Sequence, residues 1–221
     1  MTSTLLTDPI AAASEARPRP SLWVVPGTMA VYGGVGVLYG AAVRAWMRLV
    51  SDNPGFSWAG TLFIIGAFVI GFAMCGLVAG GRKRGWQGLM VPTRIAAVFL
   101  CLPCFTAAGA AMIPTIIPGA IAYARTDWPR GLRVAMGVVA ALGTGVLLLN
   151  GPGELGWGRL LLAFGIYCAL VLVEIRVFAE PYRPTVARLP LYAKIVLVLL
   201  GLLAALLVVT MAVGIATADR L

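Results

Sequence analysis

The chain has 221 residues, 61% of them apolar and only 11% charged, with a mean hydropathy of +0.96. Average globular domains are about 45–50% apolar and about 25% charged, so an ordinary soluble enzyme and a disordered chain are both excluded. The formal net charge is +9, from 15 Arg and two Lys against eight acids, and there is no histidine. That removes Ser-His-Asp hydrolysis, His-ligated haem or zinc and histidine pH switches.

Residues 1–21 are polar and proline-bearing and lack the short apolar core of a signal peptide, which predicts a disordered arm. Residues 22–217 read as one transmembrane domain, and 218–221 as a short tail. A span needs roughly 20 apolar residues. The first runs over about 23–43, ends on Arg44 and Arg48, and is followed by the Asn53-Pro54-Gly55 turn. The second, about 58–80, starts at Trp58 and closes on Arg82-Lys83-Arg84. Segment three, about 93–124, is too long for one upright helix and holds Pro103, Pro114 and Pro118. It predicts a kinked span to Met112 followed by a broken or re-entrant piece over 113–123, with one long tilted helix as the alternative. Spans over about 134–149, 157–178 and 191–216 complete an all-α, polytopic bundle of six, its third segment proline-broken.

Nearly every basic residue flanks an apolar run, so anionic headgroups rather than nucleic acid are the expected counter-charge. Arg48, Arg82, Lys83, Arg84, Arg130 and Arg133 are the candidate lipid or partner contacts. In the six-span order, eight basic residues fall on the N-terminal side, Arg82, Lys83, Arg84, Arg94 and Arg159 among them. Nine fall on the other, including Arg44, Arg48, Arg125, Arg130, Arg133, Arg176 and Arg183. That balance leaves orientation open. The density of 82–84 leans toward a cytoplasmic N-terminus.

One pattern would explain the balance. Asn53-Pro54-Gly55, Trp58 and Gly66 recur as Gly151-Pro152-Gly153, Trp157 and Gly165, and Pro92 with Arg94 as Pro190 with Lys194. A repeat of three spans has odd parity, so its second copy would be inverted, as in many transporters.

Four constellations carry candidate chemistry. Cys101-Leu102-Pro103-Cys104 places two thiols on one helix face, fit for a disulfide or a soft metal, while Cys75 and Cys168 stand apart. Glu174 and Arg176 are the most interior charges. Glu174 is 17 residues past Trp157, roughly 25 Å along a helix, which predicts a place near the far interface. Arg176, Arg44 or Arg48 are its expected partners, and an ion-coupling role for Glu174, Arg176 and Arg44 is the functional alternative. A transport cavity would be lined by Thr106, Thr115, Glu174 or Arg44. Finally, Gly36 with Gly40 and Gly76 with Gly80 form two GxxxG pairs, suited to close helix approach within the chain or between copies.

The stretch from Arg44 to Phe63, RAWMRLVSDNPGFSWAGTLF, with GRKRGW over 81–86, resembles uncharacterised multi-pass membrane proteins of actinobacteria. The resemblance implies a bacterial plasma-membrane location and brings no activity, ligand or catalytic residue. No nucleotide-binding signature is present and no cofactor is expected, so the inventory argues against an enzyme without excluding one. Three function classes follow: a structural or accessory component of a membrane assembly; a small transporter or channel on the inverted repeat; a thiol redox or copper-handling protein using Cys101 and Cys104.

Overall fold

The computed structural model describes residues 21–51, 56–108, 112–149 and 157–184. The expected N-terminal arm, the span over 191–216 and the tail lie outside the described residues. Among the described residues there are six α-helices and no strand: α1 (Val24–Val50), α2 (Trp58–Lys83), α3 (Met90–Ala108), α4 (Ile113–Ala124), α5 (Arg130–Leu149) and α6 (Trp157–Phe178). A 3-10 turn, Glu180–Tyr182, follows α6.

Helices α1 and α2 form the closest pair, and glycine is the reason. A Cβ added at Gly36 would stand 2.6 Å from the Phe68 carbonyl oxygen, and one at Gly40 2.8 Å from the Ile65 Cα. From the other side, a Cβ at Gly76 would lie 2.7 Å from the Thr28 oxygen, and one at Gly80 2.9 Å from the Val25 Cα. Backbone thus meets backbone along an antiparallel seam, as small residues permit in membrane helices. All four glycines of the GxxxG pairs are spent inside the chain, so this face is not open to a second copy.

Ser57 caps α2 by accepting from the Gly60 amide at 3.3 Å. Its far end closes through Gly85, which has φ +76° and supplies the left-handed residue such a helix end favours. Trp86 then folds back beneath Gly81, so it packs on α2 rather than standing free beyond it.

Helix α3 returns antiparallel to α2: Val78 packs with Met90 and Ala97, and farther along the Cys104 thiol donates to the Ala67 carbonyl at 3.2 Å. It runs through Pro103. A separate helix starts at Ile113 with proline in its first turn, where the missing N–H costs little. At 12 residues, or about 18 Å, α4 is too short to cross a core of about 30 Å.

Its direction corrects the six-span order. Tyr123, Ala124 and Thr126, at and just past the end of α4, line one recess with Arg82 of α2, Arg133 of α5 and Arg183. Helix α4 therefore comes back to the end from which α3 departed. Residues 125–133 share an end with Arg82 instead of opposing it. The reason lies in the proline-rich segment, which turns back rather than continuing across.

The same reversal overturns the inverted repeat. Helix α5 leaves from the basic end, as α1 does, and α6 returns to it, as α2 does. The two would-be copies run in the same direction. The second glycine-proline turn, 151–153, lies outside the described residues.

The main interior cluster is aromatic and aliphatic, and in it Tyr39, Phe68, Phe72, Cys75, Cys104, Ile116, Tyr167 and Phe178 are all buried. Phe72 meets Phe178 edge-on at 5.8 Å. The outside is apolar too: Leu38 is 74% exposed and Leu161 67%, with Leu62, Ile70 and Leu172 also outward. Water would penalise such a belt at roughly 25 cal/mol per Å²; hydrocarbon does not. Among the described residues, three helical stretches are long and apolar enough to cross a bilayer: Val24–Val50, Trp58–Lys83 and Gly158–Tyr182. The chain is a helical membrane protein of multi-pass character.

Candidate functional site

Glu174 lies at the centre of the bundle. Its side chain is fully buried, and the Tyr39 hydroxyl donates to its Oε2 at 2.5 Å. Tyr39 is 15 residues from the start of α1 and 11 from its end, about 22 and 16 Å along the axis. The pair is therefore deep within α1, not at an end. Two other contacts set α6 against α1: Arg159 Nη2 donates to the Leu49 carbonyl at 3.3 Å, and Trp46 Nε1 to the Ala163 carbonyl at 2.9 Å. Counting from Trp157 had placed Glu174 near an interface. That count fails because the end of α6 is itself covered: Ala179, Glu180 and Pro181 are all buried.

The expected arginine partners of Glu174 are elsewhere. Among the described residues the ion pairs are Arg82–Glu180, Arg183–Glu180 and Arg125–Asp127. Arg176 is exposed. Arg44 Nε donates to the Thr61 hydroxyl at 3.2 Å, and the Arg48 guanidinium covers the Phe56 ring at 4.8 Å. Trp46, between Arg44 and Arg48, turns inward onto Tyr167, with ring centroids 5.6 Å apart.

Three polar atoms of the core have no hydrogen-bond partner among the described residues: Glu174 Oε1, the Tyr167 hydroxyl and the Thr115 hydroxyl. Such orphans are uncommon inside proteins and call for a reason. Thr115 is 2% exposed; the Thr106 side chain lies outside the described residues.

The cysteines pair differently from the sequence reading. All four are free. Cys101 meets a thiol outside the CxxC motif, that of Cys75 on α2, with sulfurs 3.9 Å apart. Cys101 also lies 3.6 Å from the Gly71 carbonyl. Each thiol thus meets α2, and Gly71 makes room: a Cβ there would stand 2.7 Å from the Cys104 sulfur. Among the described residues no cluster of three or more metal-ligating side chains occurs. Small polarizable side chains in a tight helix seam behave as packing groups. We expect Cys75, Cys101 and Cys104 to resist a maleimide in the folded protein and to react once it is denatured. Labelling in native membranes with mass analysis measures this; rapid native labelling at Cys101 would show an accessible thiol.

The basic residues gather at one end. Arg82, Lys83, Arg84, Arg94, Arg125, Arg130, Arg133 and Arg183 all belong to the end where α2, α4 and α6 finish and α3 and α5 begin. Arg44, Arg48 and Arg159 belong to the opposite end, where α1 finishes and α6 begins. Arg82 and Arg183 both bind Glu180, and Arg94 Nη2 donates to the Arg183 carbonyl at 2.6 Å. Lys83 and Arg130 are exposed, and Arg84 is half-buried.

Sequence reasoning missed Tyr39, Cys75 and Glu180. Tyr39 had a visible signal: it sits three residues from Gly36 and next to Gly40, on the side of α1 that small residues mark as turned toward neighbours. No family model, curated protein or solved structure matches this chain.

Proposed function

We propose that this protein is a structural or accessory component of a membrane assembly, built as a closed multi-pass bundle in a bacterial plasma membrane. The carrying observation is a separation: a packed aromatic interior on one side, and eight basic residues around one end of the bundle on the other. A bundle whose glycines and aromatics are used internally presents its distinctive chemistry at that end. Helices α3 and α4 form a pair that enters and leaves from the basic end.

Among the described residues, and leaving aside Arg176 within α6, eight basic residues at one end against three at the other is the kind of bias that the positive-inside rule reads. The basic end is therefore cytoplasmic, and α1 starts there. With Ser51→Cys and Asp127→Cys introduced separately, an impermeant maleimide applied to intact cells should label Ser51→Cys at once. It should label Asp127→Cys only after permeabilisation. The opposite pattern would reverse the orientation.

A second reading, a small proton- or ion-coupled carrier, is favoured by the buried place of Glu174 against the middle of α1 and by its unpartnered Oε1. An ionisable group within a span is a functional candidate by default. Two measurements separate the readings. Native membranes solubilised in mild detergent should yield the chain in a particle larger than its own mass. Vesicles reconstituted with the purified chain should pass no more protons under an imposed gradient than empty vesicles. A lone monomer, together with a proton flux abolished by Glu174→Gln, would replace the first reading with the second.

A further inference from the structure

The recess at the basic end has the composition of an anion site. Its volume is about 530 Å³, and Arg82, Tyr123, Thr126, Arg133 and Arg183 line it. Four separate segments supply these residues: the end of α2, the end of α4 with its following loop, the start of α5, and the turn after α6. The turn is anchored, since Glu180 is buried between Arg82 and Arg183 and Arg94 holds the Arg183 carbonyl. Arg133 is anchored as well, with Nε donating to the Ala122 carbonyl at 3.2 Å.

The charges do not balance locally. Arg82, Arg94, Arg125, Arg133 and Arg183 stand against two carboxylates, Glu180 and Asp127. Arg125 is engaged with Asp127 at 3.2 Å and with the Trp128 ring at 5.2 Å. Buried guanidinium nitrogens also lack acceptors among the described residues: Arg82 Nη1, Arg94 Nε, Arg125 Nε and Arg183 Nε. Arg183 Nε is 3.3 Å from Glu180 Oε1 but is not aligned to bond it. Three guanidiniums, those of Arg82, Arg133 and Arg183, gathered around one recess with Glu180 as the carboxylate shared by two of them call for a multivalent acceptor. Phosphate oxygens suit them, because a guanidinium presents its N–H groups as a planar fork.

We propose that this recess binds a phosphate-bearing anion, seated between the guanidiniums of Arg82, Arg133 and Arg183. The proposal stands under either reading of the function above. The shared chemistry is the phosphate; its source is a phospholipid headgroup or a soluble phosphate compound.

The test uses the full chain purified in an uncharged detergent, with thermal midpoint and binding isotherm as readouts. The probes are short-chain phosphatidylglycerol, short-chain phosphatidylcholine, glycerol phosphate and inorganic phosphate. Phosphatidylglycerol or a soluble phosphate should bind saturably and raise the midpoint, and zwitterionic phosphatidylcholine should not. Tight binding of phosphatidylglycerol alone assigns the source to lipid; equal binding of glycerol phosphate or inorganic phosphate assigns it to a soluble anion. Arg133→Gln and Arg183→Gln should each weaken binding about tenfold or more, as loss of a charged hydrogen bond does. Arg84→Gln, outside the recess lining, should leave it unchanged. Arg133→Lys and Arg183→Lys keep the charge and guard against misfolding, and they should recover only part of the affinity. Absence of saturable binding by every anionic probe, equal losses in Arg84→Gln, or full recovery by lysine would each overturn the proposal, the last two by reducing the recess to diffuse surface attraction.

Discussion

Gly36→Ala should be among the most damaging single substitutions in this protein, although it adds only a methyl group. The new carbon would lie 2.6 Å from the Phe68 carbonyl oxygen and 2.9 Å from the Val69 Cα. Both are backbone atoms of α2, so no side-chain rotation relieves the contact. The helices must separate by several tenths of an ångström, and the whole seam from Gly80 to Gly40 loosens with them. In lipid the helices associate by close packing rather than by a hydrophobic drive, so lost contact is lost affinity. Overpacking of this kind costs about 1–3 kcal/mol, and Gly76→Val, against the Thr28 oxygen and Met29 Cα, should reach the upper end. Gly34→Ala is the control: nothing lies within 4 Å of its added carbon, and alanine is no worse a helix former. Denaturant titration in mixed micelles measures all three. Equal midpoints for Gly36→Ala and Gly34→Ala would mean that the seam is not backbone-tight.

The second large effect belongs to the Tyr39–Glu174 pair. Tyr39→Phe keeps the ring against Phe68, 4.8 Å away, and deletes only the donor. It leaves the buried carboxyl with neither oxygen bonded among the described residues, because Oε1 already lacks a partner. Leaving a buried polar group unpaired costs about 1–3 kcal/mol, and more where it carries charge. Glu174→Leu removes the demand instead, and apolar replacement of a buried polar group is often neutral or stabilising. Adding Glu174→Leu to Tyr39→Phe should therefore restore most of the stability that Tyr39→Phe loses. A double-mutant cycle reads this coupling directly. Strict additivity of the two changes would show that the hydroxyl and carboxyl do not interact. The cycle bears on function too. A protein more stable without Glu174, yet carrying it at the centre of a lipid-embedded bundle, keeps that group for a purpose other than folding.

Local chemistry made part of this architecture readable without coordinates. Runs such as 58–80 can satisfy their amides in hydrocarbon only as helices, and breakers such as Asn53-Pro54-Gly55 mark where those helices stop. Pro114 likewise announces a new helix start near Ile113. These inferences need only residue type and near-neighbour spacing, so the medium, the helical class and most helix positions followed from the chain alone.

Direction was different. A proline-rich segment has the same composition whether it passes through the bundle or folds back, and only packing distinguishes the two. When α4 returned to the end where α3 began, Arg125, Arg130 and Arg133 joined Arg82, and an apparent balance of charge became a one-sided array. Glu174 and Tyr39 are 135 residues apart, and Cys75 and Cys101 lie on different helices. Their meeting depends on how whole helices slide and turn against one another, which no local spacing encodes. Amino-acid type settled that lipid surrounds this protein and that its backbone coils; tertiary packing alone decided which charges share an end and which polar groups lie at its centre.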